Sequence, residues 1–183
     1  MLRNTTKSWG WFSRMLHWSM AAMLIGQIVL GKYAQGLHLS PAKLNLMMWH
    51  KSFGILLLFL ALLRLLWACF NPRPEFGPGT PVNQRIAARL NHLGLYALMV
   101  TIPLSGWLMN SAKNVPLSLF RTVPWPALID PNENQGDLFQ WWHECLVSVM
   151  LTLLILHVSA ALWHHFHKRD NVLLRMLGVE QNP

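Results

Sequence analysis

Residues 138–166 read LFQWWHECLVSVMLTLLILHVSAALWHHF, and this stretch decides the fold class. Its 29 residues include one side chain of fixed charge, Glu144. A helix needs about 20 mostly apolar residues to cross the roughly 30 Å hydrocarbon core of a bilayer. The stretch meets that length with turns to spare, so it reads as a membrane span. It contains four histidines, His143 and His157 well inside it and His164 and His165 at its end.

Three further stretches have the same character. Residues 12–33 are apolar apart from Arg14, His17, Gln27 and Lys32. Residues 44–70 carry His50 and Lys51 toward one end and Arg64 toward the other. Residues 86–109 contain His92 and Pro103. Between them the chain breaks. Asn71-Pro72-Arg73-Pro74 and the Gly77–Pro81 run cannot continue a helix. Gly36 and Pro41 bracket a short turn, and residues 110–135, with four prolines, read as a long outer loop. Arg3 and Lys7 precede the first span as in a signal peptide. That span is longer than the 7–15-residue core of a cleavable signal, so it is expected to stay.

The whole chain agrees. Of 183 residues, 53% are hydrophobic and 12% charged, half the usual charged share of about 25%. Mean hydropathy is +0.29. Two cysteines, Cys69 and Cys145, exclude a disulfide scaffold and a four-cysteine zinc or iron–sulfur site. The net charge of +8 is a topology signal. Ten of the 15 Lys and Arg fall on the side of the termini and five on the other, giving about +7 against +1 once acids are assigned. The expectation is an all-α, integral membrane four-helix bundle, one domain over 1–183. Both termini are cytoplasmic, the bilayer is the partner of the apolar faces, and nucleic acid is no partner.

Ionisable side chains inside spans are costly and mark function. His17 lies about 8 Å in from the side of the termini, and His50 about 9 Å in from the opposite side. His143 and His157, 14 residues apart, share a helix face about 21 Å apart, too far for one metal ion. They place His143 level with His50, and His157 deeper, as His17 is. Two histidines on facing helices at one level are the arrangement that ligates a haem iron from both sides. Ala21, Gly54, Ala160 and Ala161, each a turn from one of these histidines, leave space for a flat macrocycle. The competing reading is polar helix–helix contacts or a proton relay. His92 is level with His17 and competes with His157 as its partner. Without a Cys-x-x-Cys-His motif any haem is non-covalent, hence b-type.

These motifs resemble the bacterial cytochrome b561 family over most of the chain. They are His17-Trp18; His50-Lys51-Ser52-Phe53-Gly54-Ile55; Leu63-Arg64-Leu65-Leu66-Trp67; and His92-Leu93-Gly94-Leu95-Tyr96 with Pro103-Leu104-Ser105-Gly106. His143-Glu144, His157, Ala160-Ala161 and the tail from Lys168 to Met176 complete the set. The resemblance implies two non-covalent haem b groups, the outer ligated by His50 and His143 and the inner by His17 and His157. It leaves His92 a non-ligand, at a propionate or lining a quinone pocket. Arg64 and Lys51 either pair with propionates or snorkel to the surface.

The function then expected is electron transfer, in the bacterial inner membrane, between a small outer-side donor such as superoxide and the membrane quinone. Tyr96 and Arg89 beside His92 are one candidate quinone site; the region of Trp49 and Trp142 is the other. A haem-carrying subunit of a larger dehydrogenase or hydrogenase is the alternative. A histidine-based metal or proton transporter, which would be colourless, is the reading from another class.

Overall fold

The computed structural model describes residues 1–77 and 79–179. Four long helices account for most of the chain. They are α1 (Trp11–Gly36), α2 (Pro41–Cys69), α3 (Val82–Ala112) and α4 (Glu133–Trp163). Each extends over one of the predicted spans, to within a residue at the C-terminal end of α2 and with α4 continuing as a π-helical turn, His164–Lys168. A short helix, α5 (Val172–Leu177), follows. The loop between α3 and α4 is shorter than expected, because α3 runs on to Ala112 and α4 already starts at Glu133. It holds a small antiparallel hairpin, β1 (Leu117–Leu119) with β2 (Val123–Trp125), in which Leu117 pairs with Trp125.

Helix starts follow local chemistry. Ser40 caps α2 by accepting from the Lys43 amide at 3.2 Å, with Pro41 at the first helical position, where its missing N–H costs nothing. Asn132 caps α4 through the Gln135 amide, and Glu133 places negative charge on the first turn. At α1 the cap is remote. Gly10 donates its N–H to the Asn4 side chain at 2.9 Å, and the same oxygen accepts from Ser13 at 2.7 Å.

Three helices, α2, α3 and α4 with its π turn, are long and apolar enough to cross a membrane. The 26-residue α1 is long enough, but Arg14, His17, Gln27 and Lys32 dilute its apolar content. The bundle packs in sequence order, α1 on α2, α2 on α3 and α3 on α4. Met20, Leu57 and Ala61 form its buried centre, with Met99 and Val100 of α3 against them. Gly94 lets α4 approach α3 closely, since a Cβ there would meet Leu153 at 2.6 Å, and Asn91 donates to the Leu153 carbonyl. By contrast, α4 lays little backbone against α1 or α2; Gly136 and Met150 are its only buried residues among those described. Clefts therefore open between α4 and those two helices, and both histidine pairs reach across them.

Candidate functional site

At the hairpin end of the bundle, His50 of α2 faces His143 of α4 with ring centroids 6.5 Å apart. The rings project into a cavity of about 410 Å³ that all four helices wall. Apolar side chains make most of its surface. Four lysines, Lys32, Lys43, Lys51 and Lys113, line it against a single acid, Glu144. Gly54 lines it too, beside Gln27.

Each ring rests edge-on against a glycine of a neighbouring helix. A Cβ at Gly31 of α1 would come within 2.9 Å of His50 Cε1, and one at Gly106 of α3 within 3.2 Å of His143 Cε1. The expected clearance came from small residues on the ligand's own helix; these two glycines lie across the bundle, where spacing along one helix gives no sign of them. His143 is oriented by its second nitrogen. Nδ1 lies 3.0 Å from the Ile102 carbonyl and 3.0 Å from Ser105 Oγ, so its proton goes to the carbonyl and Nε2 is left free as a ligand. Pro103, next in the chain, belongs to the same turn of α3.

At the end of the termini, His17 of α1 faces His157 of α4 with centroids 6.2 Å apart. His92 of α3 is closer to His157, at 5.3 Å. The three histidines are thus one cluster, and proximity alone ranks His92 first. Arg64 of α2 borders it, donating Nε to Tyr96 Oη at 3.1 Å and reaching the Ser13 carbonyl at 3.4 Å. Its Nη2 lies 3.4 Å from His17 Nδ1. A guanidinium only donates, so this contact puts the His17 proton on Nε2. Trp67 joins the network through Ser13 Oγ at 2.9 Å, and Asn4 ties it to the Pro72 carbonyl at 3.1 Å.

The two candidate quinone regions are less assembled. Tyr96 turns to Arg64, whereas Arg89 lies over the Phe76 ring, away from His92. Trp49 stacks on Phe53 and meets Phe120, while Trp142 pairs with Trp141. His164 is taken by Asp170. Among the described residues no group of three or more His, Cys, Asp or Glu could hold a metal ion by itself. Paired imidazoles suit a metal whose remaining ligands come from a macrocycle.

Comparison with known proteins identifies the family. Residues 8–179 match the family described as prokaryotic cytochrome b561. The chain belongs to the prokaryotic cytochrome b561 family. It is 34% identical over 181 residues to cytochrome b561 homolog 2 of Escherichia coli K12, covering 96% of this chain and 94% of that one. Cytochrome b561 homolog 1 of the same organism is 32% identical over 130 residues, or 70% and 72% of the two chains. A protein named probable superoxide oxidase CybB, from Yersinia pestis, is 28% identical over 130 residues, 71% and 73%. As a cytochrome b561 the protein is a haem b-binding, electron-transferring component of a bacterial membrane.

Proposed function

We propose that this cytochrome b561 holds two haem b groups, one between His50 and His143 and one between His17 and His157, and carries electrons from the outer surface to membrane quinone. The observation that carries this is the ring spacing. Imidazole nitrogens about 2.0 Å from a metal on its two opposite faces set the ring centres about 6.2 Å apart. The two pairs measure 6.5 and 6.2 Å, whereas His92 and His157, at 5.3 Å, are too close to flank one iron. Both pairs also bridge helices whose backbones stand apart, as an intervening flat group requires.

Each bound haem supplies a reversible one-electron couple. The residues supply the rest. A haem held by the two histidines of a pair would keep no site for oxygen chemistry and would be suited to outer-sphere transfer. The Ile102 carbonyl and Ser105 hold His143 in its ligating tautomer. The lysines of the hairpin-end cavity, Lys51 next to His50 among them, would offset the two carboxylates of a haem. At the other end, ligation by His17 through Nε2 gives up its contact with Arg64. The guanidinium keeps Tyr96 and the Ser13 carbonyl and is then available to a propionate. His92 stays a neighbour of the pair without ligating.

In this reading α1 is the fourth span, the termini and His17 lie on the cytoplasmic side of the inner membrane, and the hairpin faces outward. The excess of Lys and Arg at the end of the termini supports that orientation. Superoxide is the donor favoured by the lysines around the outer cavity and by the similarity to a probable superoxide oxidase. Two superoxide anions give one electron each, leaving dioxygen, and a quinone takes up two electrons and two protons. The test is pyridine haemochrome analysis of the purified protein, followed by stopped-flow mixing of the reduced protein with a short-chain ubiquinone. Two haems per chain and quinone-dependent oxidation are expected. A colourless protein refutes the cofactor reading, and a two-haem protein inert to quinone refutes the acceptor.

A further inference from the structure

The two rings at the hairpin end are held alike except in one respect. His143 lies against Gly106 of α3, and the carbonyl four residues before that glycine, Ile102, meets its Nδ1. His50 lies against Gly31 of α1, with its Nδ1 3.3 Å from the position of a Cβ there. Four residues before Gly31 stands Gln27. Its side chain is only 7% exposed and lines the same cavity. Its Nε2 donates to the His50 carbonyl at 2.7 Å, which pins the amide beside the ring. Two buried polar atoms in this corner have no partner, Gln27 Oε1 and His50 Nδ1. One is an acceptor; the other is a donor whenever Nε2 is the ligating nitrogen. Buried polar groups left unpaired are costly, and here the two complementary ones belong to residues already in contact.

We infer that Gln27 is the positioning residue for His50, its Oε1 accepting the His50 Nδ1 proton directly or across one bridging water. The inference rests on His50 being a haem ligand through Nε2. It gives α1 the role at His50 that the Ile102 carbonyl of α3 has at His143. A hydrogen bond from Nδ1 raises the basicity of the ligating nitrogen, which favours the oxidised iron and lowers the reduction potential.

Two substitutions separate the two ends of the amide. Gln27→Leu removes donor and acceptor; Gln27→Glu keeps the acceptor and removes the donor to the His50 carbonyl. The readouts are a spectroelectrochemical titration of the intact haem-loaded protein and nitrogen-15 NMR of its reduced, diamagnetic form. The hairpin-end wave is identified as the one missing from His50→Ala. Gln27→Leu is expected to shift that wave upward, leave the other wave in place and abolish one hydrogen-bonded Nδ1 proton signal. Gln27→Glu is expected to keep the proton signal and not to shift the wave upward. An unmoved wave and intact proton signal in Gln27→Leu overturn the inference while leaving the ligand assignment standing. So does an upward shift of equal size in both variants, which makes the donor to the carbonyl the important end. Should Gln27→Leu fail to hold its hairpin-end haem, retention of that haem and of the proton by Gln27→Glu supports the inference, and loss in both overturns it. Two waves persisting in His50→Ala refute the ligand assignment instead.

Discussion

Gly31 offers the sharpest quantitative test, because one added methyl group aims at one ring. In Gly31→Ala the new Cβ would stand 2.9 Å from His50 Cε1. Carbon atoms in contact prefer about 3.5–4.0 Å, so the ring must retreat by about 0.6 Å or more. The apo ring can swing away; a ring fixed to a metal on one side and an α1 backbone on the other cannot do so freely. Overpacking of this kind costs about 1–3 kcal/mol, and replacing a helical glycine by alanine returns about 0.5–1 kcal/mol. The helix term is the same with and without haem and cancels, so the penalty of about 1–3 kcal/mol corresponds to a roughly 5- to 140-fold weaker hold on the hairpin-end haem, at about 1.4 kcal/mol per factor of ten. Gly26→Ala on the same helix is the control, since nothing lies within 4 Å of its Cβ. It gains the helix term without the collision. The assay is transfer of haem from each detergent-purified variant to an excess of a haem-scavenging apoprotein, followed in the Soret band. Gly31→Ala releasing haem no faster than Gly26→Ala would refute the placement of His50 against α1.

The ligand pairs make a second prediction: His50→Ala and His143→Ala each leave one haem per chain, His17→Ala and His157→Ala leave the other, and His92→Ala keeps two, as haemochrome analysis and difference spectra will report. Ser52 is 1% exposed and accepts the Phe120 amide at 2.9 Å. Ser52→Ala strands that amide at a cost of about 1–3 kcal/mol, and faster deuterium uptake should then be confined to residues 117–125. Asn4→Ala removes the acceptor shared by Gly10 and Ser13 and the donor to the Pro72 carbonyl. A loss of about 1–3 kcal/mol is expected, read as a lower thermal midpoint of the detergent-solubilised protein.

What could be read from the chain depended on range. The helices came from long apolar runs with prolines and glycines between them, signals held within each segment. The histidine levels followed from helical rise alone. The hairpin did not, because its strands are three residues each and its turn uses Phe120 and Arg121 at positive φ in place of glycine or asparagine. Which residues serve a ring from another helix was equally hidden. Gln27 stood out in the sequence only as a polar residue in an apolar run, Gly106 only as the end of a motif with no link to His143, and Gly31 not at all. Arg89 illustrates the converse. It shares a helix with His92 and Tyr96, but its own turn points to Phe76. Helical phase decides which neighbours meet, and a residue three positions from a histidine need not share its company.

Because one helix carries a member of each pair, the interval from His143 to His157 behaves as a calibrated shaft. One residue inserted or deleted there would rotate one imidazole by about 100° relative to the other and slide it by about 1.5 Å. Either centre could be kept in register, but not both. The same change in the stretch from Lys113 to Asn132 would be absorbed by a loop. Length variation among functional relatives should therefore concentrate in that loop and spare the thirteen positions between the two histidines, even where nearly every side chain among them has changed.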